Sequence, residues 1–559
     1  MSKRWNVISK LRMENGEWRM EKLLSLLLEN RGFATKKDVE NFLKPSLETV
    51  TPKTVGIDAK QLTKAMKRIQ KAIEKKEQIV VFGDYDVDGI TGSAILWETL
   101  HELEGNAMPY IPHRKEEGYG LSIKGIENLL ITMPETKLII TVDNGIVANE
   151  AVSFANEKDI DVIITDHHTI SETKPDAYAI VHTTNLCGAG VAYLLSKELR
   201  LEKGKWSDED DKHLELAALG TVADLVPLVG ANRAIVFAGL KKLQRTFRPG
   251  LIALYQQAGI QQDKIGVYEI GYQIGPRLNA SGRLESAMES LRLLCTPNMR
   301  RASELAAKLE LTNRERQQLL KEAATHAIGR VENGEWGMKK ILILGHESYA
   351  EGVIGLVAGK LVEAFYKPAI VLSLGETKSK ASVRSISGFN IIEFLRSHAE
   401  HFINVGGHPM AAGFTIETAK LETVQSLLEE AAEKILTEEL LTRSLKIDCE
   451  IPLSLISTDL YQQLQQLAPF GMANPEPVFM SKKVRIENIK VMGKEGTHLR
   501  LFLSQDDSQM YEAVAFGMGA LAKEIKIGDK IDIAYIIDEN TWNGQTKLQL
   551  KVRDIKLEA

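Results

Sequence analysis

Ile79-Val80-Val81-Phe82-Gly83-Asp84-Tyr85-Asp86-Val87-Asp88-Gly89 is the stretch on which the fold of this chain turns. Four consecutive apolar residues read as a buried strand, and Ile90 to Leu103 reads as the helix that follows it. Asp84, Asp86 and Asp88 therefore lie on the turn at the carboxyl end of a strand, where open α/β sheets carry their chemistry. Acids this close repel and raise each other's pKa unless a cation neutralises them. Such oxygen ligands suit hard divalent ions, Mg2+ or Mn2+. An EF-hand loop also begins with spaced acids and a glycine. Its closing glutamate would fall on Ile95 here, and the flanks read strand then helix, so that reading is set aside.

Working outward, the pattern recurs. Leu138 to Val142 is a second apolar run, ending in Asp143-Asn144-Gly145, and Asp161 to Thr165 is a third, ending in Asp166-His167-His168. Leu216 to Leu228 reads LAALGTVADLVPL, with Asp224 isolated among apolar residues. Taken singly, each acid is a helix cap or turn former and the histidines are a surface or core pair. Taken together, three strand ends of one parallel sheet deliver acids and imidazoles to one edge, the donor set of a two-metal site.

Composition sets the outer bounds. At 559 residues the chain needs three or four domains, and 44% hydrophobic with 26% charged residues is ordinary for a globular protein. No stretch is apolar enough for a membrane span, and the N-terminus lacks a signal-peptide core. Cys187, Cys295 and Cys449 are far apart and odd in number, which fits free thiols in a reducing cytoplasm. The net charge of −5 gives no support to nucleic-acid binding by the whole chain, so a strand would need a local basic channel.

The chain is expected to be α/β, with a parallel-sheet catalytic domain, a second α/β domain joined to it by a long helix, and a small C-terminal β-barrel. The expected limits are a helical N-terminal segment at 1–78, a catalytic domain at 79–295, a connecting helix at 296–333, the second domain at 334–445 and the barrel at 446–559. Leu62, Met66, Ile69 and Ile73 recur at helical spacing in the first, with lysines on a solvated face. Met299 to about Val331 reads as the long helix. Five short alternating runs after the turn-rich Pro469 to Pro475 suggest an OB-fold.

The motifs DxDxDG, DNG, DHH and GTVADLVPL, in this order, resemble the DHH phosphoesterase superfamily. EGYGL at 117–121, GAGVA at 188–192, GPRLNASGR at 275–283, GVIG at 352–355, SVRS at 382–385 and GGHP at 406–409 are similar to its single-stranded-DNA exonucleases, across nearly the whole chain. The resemblance implies a DHHA1-like second domain and two divalent ions, Mn2+ or Mg2+. Asp143 would bridge them, Asp84 and Asp86 would hold one, and Asp88, His167 and Asp224 would complete the other. His168 would face the scissile phosphate as charge stabiliser or proton donor, and Asp166 would orient the histidines. Some superfamily members place a histidine where this chain has Phe82, which bears on the role of Asp84.

The resemblance also implies that Arg114, Ser382 and Arg384 contact a terminal 5′-phosphate, with Arg277, Asn279 and the glycine-rich loop Gly406-Gly407-His408 near the substrate. Against this stands an interlobe salt bridge for each arginine. Tyr119 and Phe389 are candidates for base stacking, against plain packing. The function implied is 5′→3′ hydrolysis of single-stranded DNA in recombination and repair, by a cytoplasmic monomer working with a single-strand-binding protein and a DNA helicase. The alternatives are an oligoribonuclease or cyclic-dinucleotide phosphodiesterase of the same superfamily, and a non-catalytic scaffold on this fold. The additional segments disfavour the former, and the complete set of acids and histidines the latter.

Overall fold

The computed structural model describes residues 3–11, 20–114, 116–170, 173–207, 211–334, 338–506, 509–542 and 545–557. Two compact units are present: Pro45–Leu441, and Met1–Lys44 together with Thr442–Ala559. The second begins with strand β1 (Arg4–Lys10), which pairs in parallel with β12 (Ser444–Glu450). This corrects the expectation of a helical start. Burial alternates residue by residue along Arg4–Lys10, a period-two pattern whose apolar members are too few to stand out in the sequence. Helices Lys36–Leu43 and Ala59–Glu74 do form within 1–78, and they fall in different units.

The larger unit contains five parallel strands, β2 (Gln78–Gly83), β3 (Ala107–Tyr110), β4 (Thr136–Val142), β5 (Asp161–Asp166) and β6 (Ala179–His182), in the order β3-β2-β4-β5-β6. Ile79, Val81, Leu138, Ile140 and Ile163 pack on one face with helices Val87–Glu102, Gly188–Glu202 and His213–Ala223. Val80, Phe82, Ile139, Val162 and Ile164 pack on the other with Ile126, Leu129 and Val152. Burial on both faces explains why these strands read as unbroken apolar runs. The chain order reverses at β2 and β4, so the acids after β2, β4 and β5 gather at the switch point of the sheet.

Helix Met299–Glu332 leads to a second sheet, β7 (Leu342–His346), β8 (Ala369–Ser373), β9 (Lys378–Arg384), β10 (Asn404–His408) and β11 (Ala411–Glu417), in the order β10-β11-β9-β8-β7. Phe389 is buried in the core of this lobe, so it packs and offers no face to a base. Gly406-Gly407-His408 is not a loop but the end of β10, paired antiparallel with β11. Gly407 makes that pairing possible: at φ +142° a Cβ would lie 2.5 Å from the Ala411 carbonyl oxygen and the Ala412 Cα.

In the smaller unit, β13 (Phe479–Met492), β14 (His498–Ser504), β15 (Tyr511–Ala515), β16 (Lys530–Trp542) and β17 (Gln545–Leu557) run in the order β13-β14-β15-β17-β16, and β16 pairs back onto β13. The sheet is thereby closed into the five-stranded barrel read from the sequence, with β15 and β17 parallel.

Candidate metal centre

The first motif is shaped by its own backbone. Asp86 caps helix Val87–Glu102, its carboxylate accepting the Gly89 amide at 3.1 Å, while Asp84 accepts the Tyr85 amide at 2.7 Å. Asp88, one turn in and 1% exposed, is fixed from outside: the Gly188 and Ala189 amides, at the start of helix Gly188–Glu202, donate to its two oxygens at 2.6 and 2.9 Å. Asp143 follows β4 with φ +62°, a left-handed conformation uncommon outside glycine, and is 2% exposed. Asp224 closes helix His213–Ala223.

These elements bring every sequence-predicted metal ligand together. Ligand atoms of Asp84, Asp86 and Asp143 lie within 4.8 Å of one another, as do those of Asp143, His167 and His168, and those of Asp88, His167 and Asp224. The groups overlap at Asp143 and His167, as a two-ion centre requires. His167 Nε2 stands 3.1 Å from Asp143 Oδ1, 3.6 Å from Asp224 and 3.9 Å from Asp88. Asp143 Oδ1 and His167 Nε2 are buried without a hydrogen-bond partner in the structure. Orphaned donor atoms at the focus of converging acids fit a cation.

Electrostatics point the same way. Burial, then the charges of Asp88, Asp86, Asp84 and Asp224, pushes the Asp143 carboxyl well above the usual range. Burial and Asp86 do the same to Asp84. Asp224 is pushed up to about 9, by burial and then Asp88 and Asp86. Such a cluster carries a large penalty that divalent ions remove. Burial pulls the His167 pKa down, leaving a neutral imidazole suited to a metal.

His168 differs. Burial lowers its pKa, but the hydrogen bond to Asp166 and the charges of Asp166, Asp224 and Asp84 outweigh this and raise it to about 9. Asp166 accepts from His168 Nδ1 at 2.7 Å, from the His167 and His168 amides at 2.7 and 3.1 Å, and from the Ile146 amide at 2.9 Å. It holds both histidines by these bonds. His168 Nε2 faces the Tyr119 hydroxyl at 3.2 Å, and its ring lies 5.9 Å from that of His408, so the second lobe reaches the centre.

Beside the centre is a group of arginines. Arg114 lies over the Tyr85 ring at 5.1 Å. Burial, then the charges of Arg114, Arg316 and Arg384, lowers the pKa of Arg283 to about 10. Gly355, in the first turn of helix Ile354–Phe365, leaves room for Ser382 and Arg384: a Cβ there would lie 2.8 Å from Ser382 Oγ and 3.2 Å from an Arg384 amino group. Clustered guanidiniums that depress each other's pKa beside a helix N-terminus are a donor set suited to an anion.

Arg277 is ion-paired, its Nε 2.8 Å from Glu310 on helix Met299–Glu332, which is the salt-bridge reading of that residue, and after burial its charge helps to lower the pKa of Arg316. The Asn279 Oδ1 accepts the Val87 amide at 2.9 Å and so positions the first motif. Sequence reasoning passed over Arg283 and Arg316. The first stood inside a quoted motif, whereas the second sits in a polar helix with nothing to mark it.

Residues 78–221 match the DHH family, N-terminal domain; 338–436 match the DHHA1 domain; and 447–554 match the RecJ OB domain. The chain is 36% identical over 545 residues to the single-stranded-DNA-specific exonuclease RecJ of Bacillus subtilis, covering 95% of this chain and 67% of that protein. It is 30% identical over 563 residues to RecJ of Salmonella typhimurium, covering 95% of both. The crystal structure of RecJ with Mn2+ from Thermus thermophilus superposes with a TM-score of 0.84 at 28% identity, covering all of this chain and 80% of that one.

Proposed function

The chain belongs to the family of single-stranded-DNA-specific RecJ exonucleases, and from that premise we propose that its acid and histidine cluster hydrolyses single-stranded DNA from the 5′ end. The observation that carries this reading is the set of three overlapping ligand groups, linked through Asp143 and through His167, set beside the arginine cluster. Mn2+ or Mg2+ bound there would neutralise a phosphodiester and acidify a water. Asp84 and Asp86 would hold one ion, Asp88, His167 and Asp224 the other, and Asp143 both.

The protein's own groups do the rest. His168, held by Asp166 and with its pKa raised by that bond, would stabilise charge on the phosphate or protonate the leaving oxygen. Arg114, Arg384 and Ser382, with Arg283, would grip a terminal 5′-phosphate and set the distance from the strand end to the cleaved bond. His408 and Tyr119 flank the reacting group. Asn279 acts at one remove, holding the turn that carries the first motif. The barrel supplies a surface of the kind that stacks and tracks single strands.

In the cell we place the chain in cytoplasmic recombination and repair, as a monomer working beside a single-strand-binding protein and a DNA helicase. Among the described residues, no helix is long and apolar enough to cross a membrane. The test is hydrolysis of an internally labelled single strand with Mn2+, run with a free 5′-phosphate, with a blocked 5′ end and with a blocked 3′ end. Loss of mononucleotide release only on blocking the 5′ end supports the reading. Loss only on blocking the 3′ end refutes the polarity. Turnover confined to short RNA or cyclic dinucleotides moves the chain to another branch of the superfamily.

A further inference from the structure

Between strands β5 and β6 the chain passes through the Asp166-His167-His168 turn, and residues 169–178 carry no helix or strand among those described. The sheet ends where the site begins. The His167 and His168 amides are spent on the Asp166 carboxylate, at 2.7 and 3.1 Å, and not on the ladder. A turn beyond the ladder depends on side chains for its place.

One such side chain comes from the neighbouring strand. β6 pairs with β5 so that His182 stands opposite Asp166, and its Nε2 lies 2.7 Å from the His168 carbonyl oxygen. A carbonyl oxygen only accepts, so Nε2 carries a hydrogen and donates it. Asp166 holds His168 by its amide and its ring Nδ1, at 3.1 and 2.7 Å, and His182 holds it by the carbonyl. With the peptide groups on both sides of His168 tied, the direction of its ring is set.

His182 is itself anchored. Thr183, next in the chain and 5% exposed, donates its amide to the Asp166 carbonyl at 3.4 Å and its hydroxyl to the Val55 carbonyl. Asn185 donates to the same Val55 carbonyl at 3.1 Å. The chain then enters helix Gly188–Glu202, whose first amides hold Asp88. The stretch 182–189 thus touches both the turn that bears His167 and the carboxylate of Asp88, two ligands far apart in sequence.

We propose that His182 is a positioning residue for the hydrolysis: by donating Nε2–H to the His168 carbonyl it sets the turn so that His167 meets Asp143 and His168 meets the reacting phosphate. This role rests on the metal-dependent nuclease reading of the same centre.

The test separates the two properties of the side chain. His182→Gln keeps a donor near the place of Nε2 and discards the ring, whereas His182→Phe keeps a ring and discards the donor. Each is compared with wild type for kcat and KM at saturating Mn2+, for Mn2+ affinity by calorimetry without substrate, and for melting temperature. His182→Phe is expected to lose about tenfold or more in kcat and in Mn2+ affinity, with KM for the strand within about twofold. His182→Gln is expected to stay within about threefold of wild type in all three. The reverse order, or equal behaviour of the two variants, would overturn the proposal. Nitrogen-15 spectra of histidine-labelled wild type keep the test open should His182→Phe fail to fold. The His182 ring, identified by the signal missing from His182→Gln, is expected to carry a proton on Nε2, and a bare Nε2 would overturn the proposal. Should wild type hydrolyse no single strand, the nuclease reading fails, and the ring proton with the Mn2+ affinities still decides the role of His182.

Discussion

Gly188→Ala is the perturbation whose effect the geometry determines most closely. A Cβ at Gly188 would lie 2.5 Å from the Asp143 Cβ and 2.7 Å from its Cγ and Oδ1, whereas ordinary contacts begin near 3.4 Å. Asp143 has to withdraw by about 1 Å, and its left-handed backbone leaves it little freedom to do so without strain. Gly188 also donates its amide to Asp88, so any shift of the glycine moves a second ligand. A displacement of that size costs about 10²-fold in rate. Overpacking costs about 1–3 kcal/mol of stability. The assay pairs turnover of single-stranded DNA at saturating Mn2+ with urea unfolding of the same sample. Gly359→Ala is the control: nothing lies within 4 Å of the new methyl, inside helix Ile354–Phe365. It is expected to keep full activity and to gain roughly 0.5–1 kcal/mol. Turnover and Mn2+ affinity of Gly188→Ala within about threefold of wild type would refute the claim that Asp143 must sit where it does.

Other outcomes follow from the same geometry. Arg384→Ala is expected to raise KM for a 5′-phosphorylated strand by about 10–100-fold, the worth of a charged hydrogen bond, and to leave a 5′-hydroxyl strand little changed. Equal losses on the two strands would contradict a phosphate role. The raised pKa values of Asp84, Asp143 and Asp224 mean that metal-free protein loses stability as pH rises through them. Mn2+ at a hundred times Kd stabilises by about 2.7 kcal/mol per site, and at a fixed Mn2+ concentration it should therefore raise the melting temperature more at pH 9 than at pH 6; a shift independent of pH would count against the cluster as the binding site. Glu98 is buried, which raises its pKa, but His213 and Arg248 outweigh that and hold it well below 4.5. Its contribution is present above the unfolded value and fades as pH falls below it. Glu98→Gln is expected to cost about 3–5 kcal/mol at neutral pH, with the gap to wild type narrowing below about pH 4.5 in urea unfolding.

The catalytic sheet was legible because its strands are buried on both faces, so Ile79–Phe82 and Leu138–Val142 announce themselves as apolar runs with acids at their ends. Helix Met299–Glu332 and the barrel strands were equally plain, from period and spacing. Strand β1 was not, because its partner is more than 430 residues away and no local signal marks a pairing so distant. Gly406-Gly407-His408 read as a loop because glycines ordinarily break strands, whereas here Gly407 lets two backbones approach. The arginine cluster was half visible. Arg384 stood in a recognisable motif and Arg114 just before one, but Arg316 joins them only through the path of a long helix. The split between Arg277, bound to Glu310, and Arg283, turned to the cluster, lies beyond what a motif containing both can tell.

The most direct test of the central claim is turnover of a 5′-phosphorylated single strand as Mn2+ is titrated, in wild type and in Asp143→Ala with its melting curve recorded alongside. The account predicts no turnover by either protein without metal, saturable turnover by wild type on the single strand and none on a blunt duplex, and turnover abolished in a variant that still unfolds cooperatively. Metal-independent hydrolysis, or undiminished turnover by a folded Asp143→Ala, would contradict it.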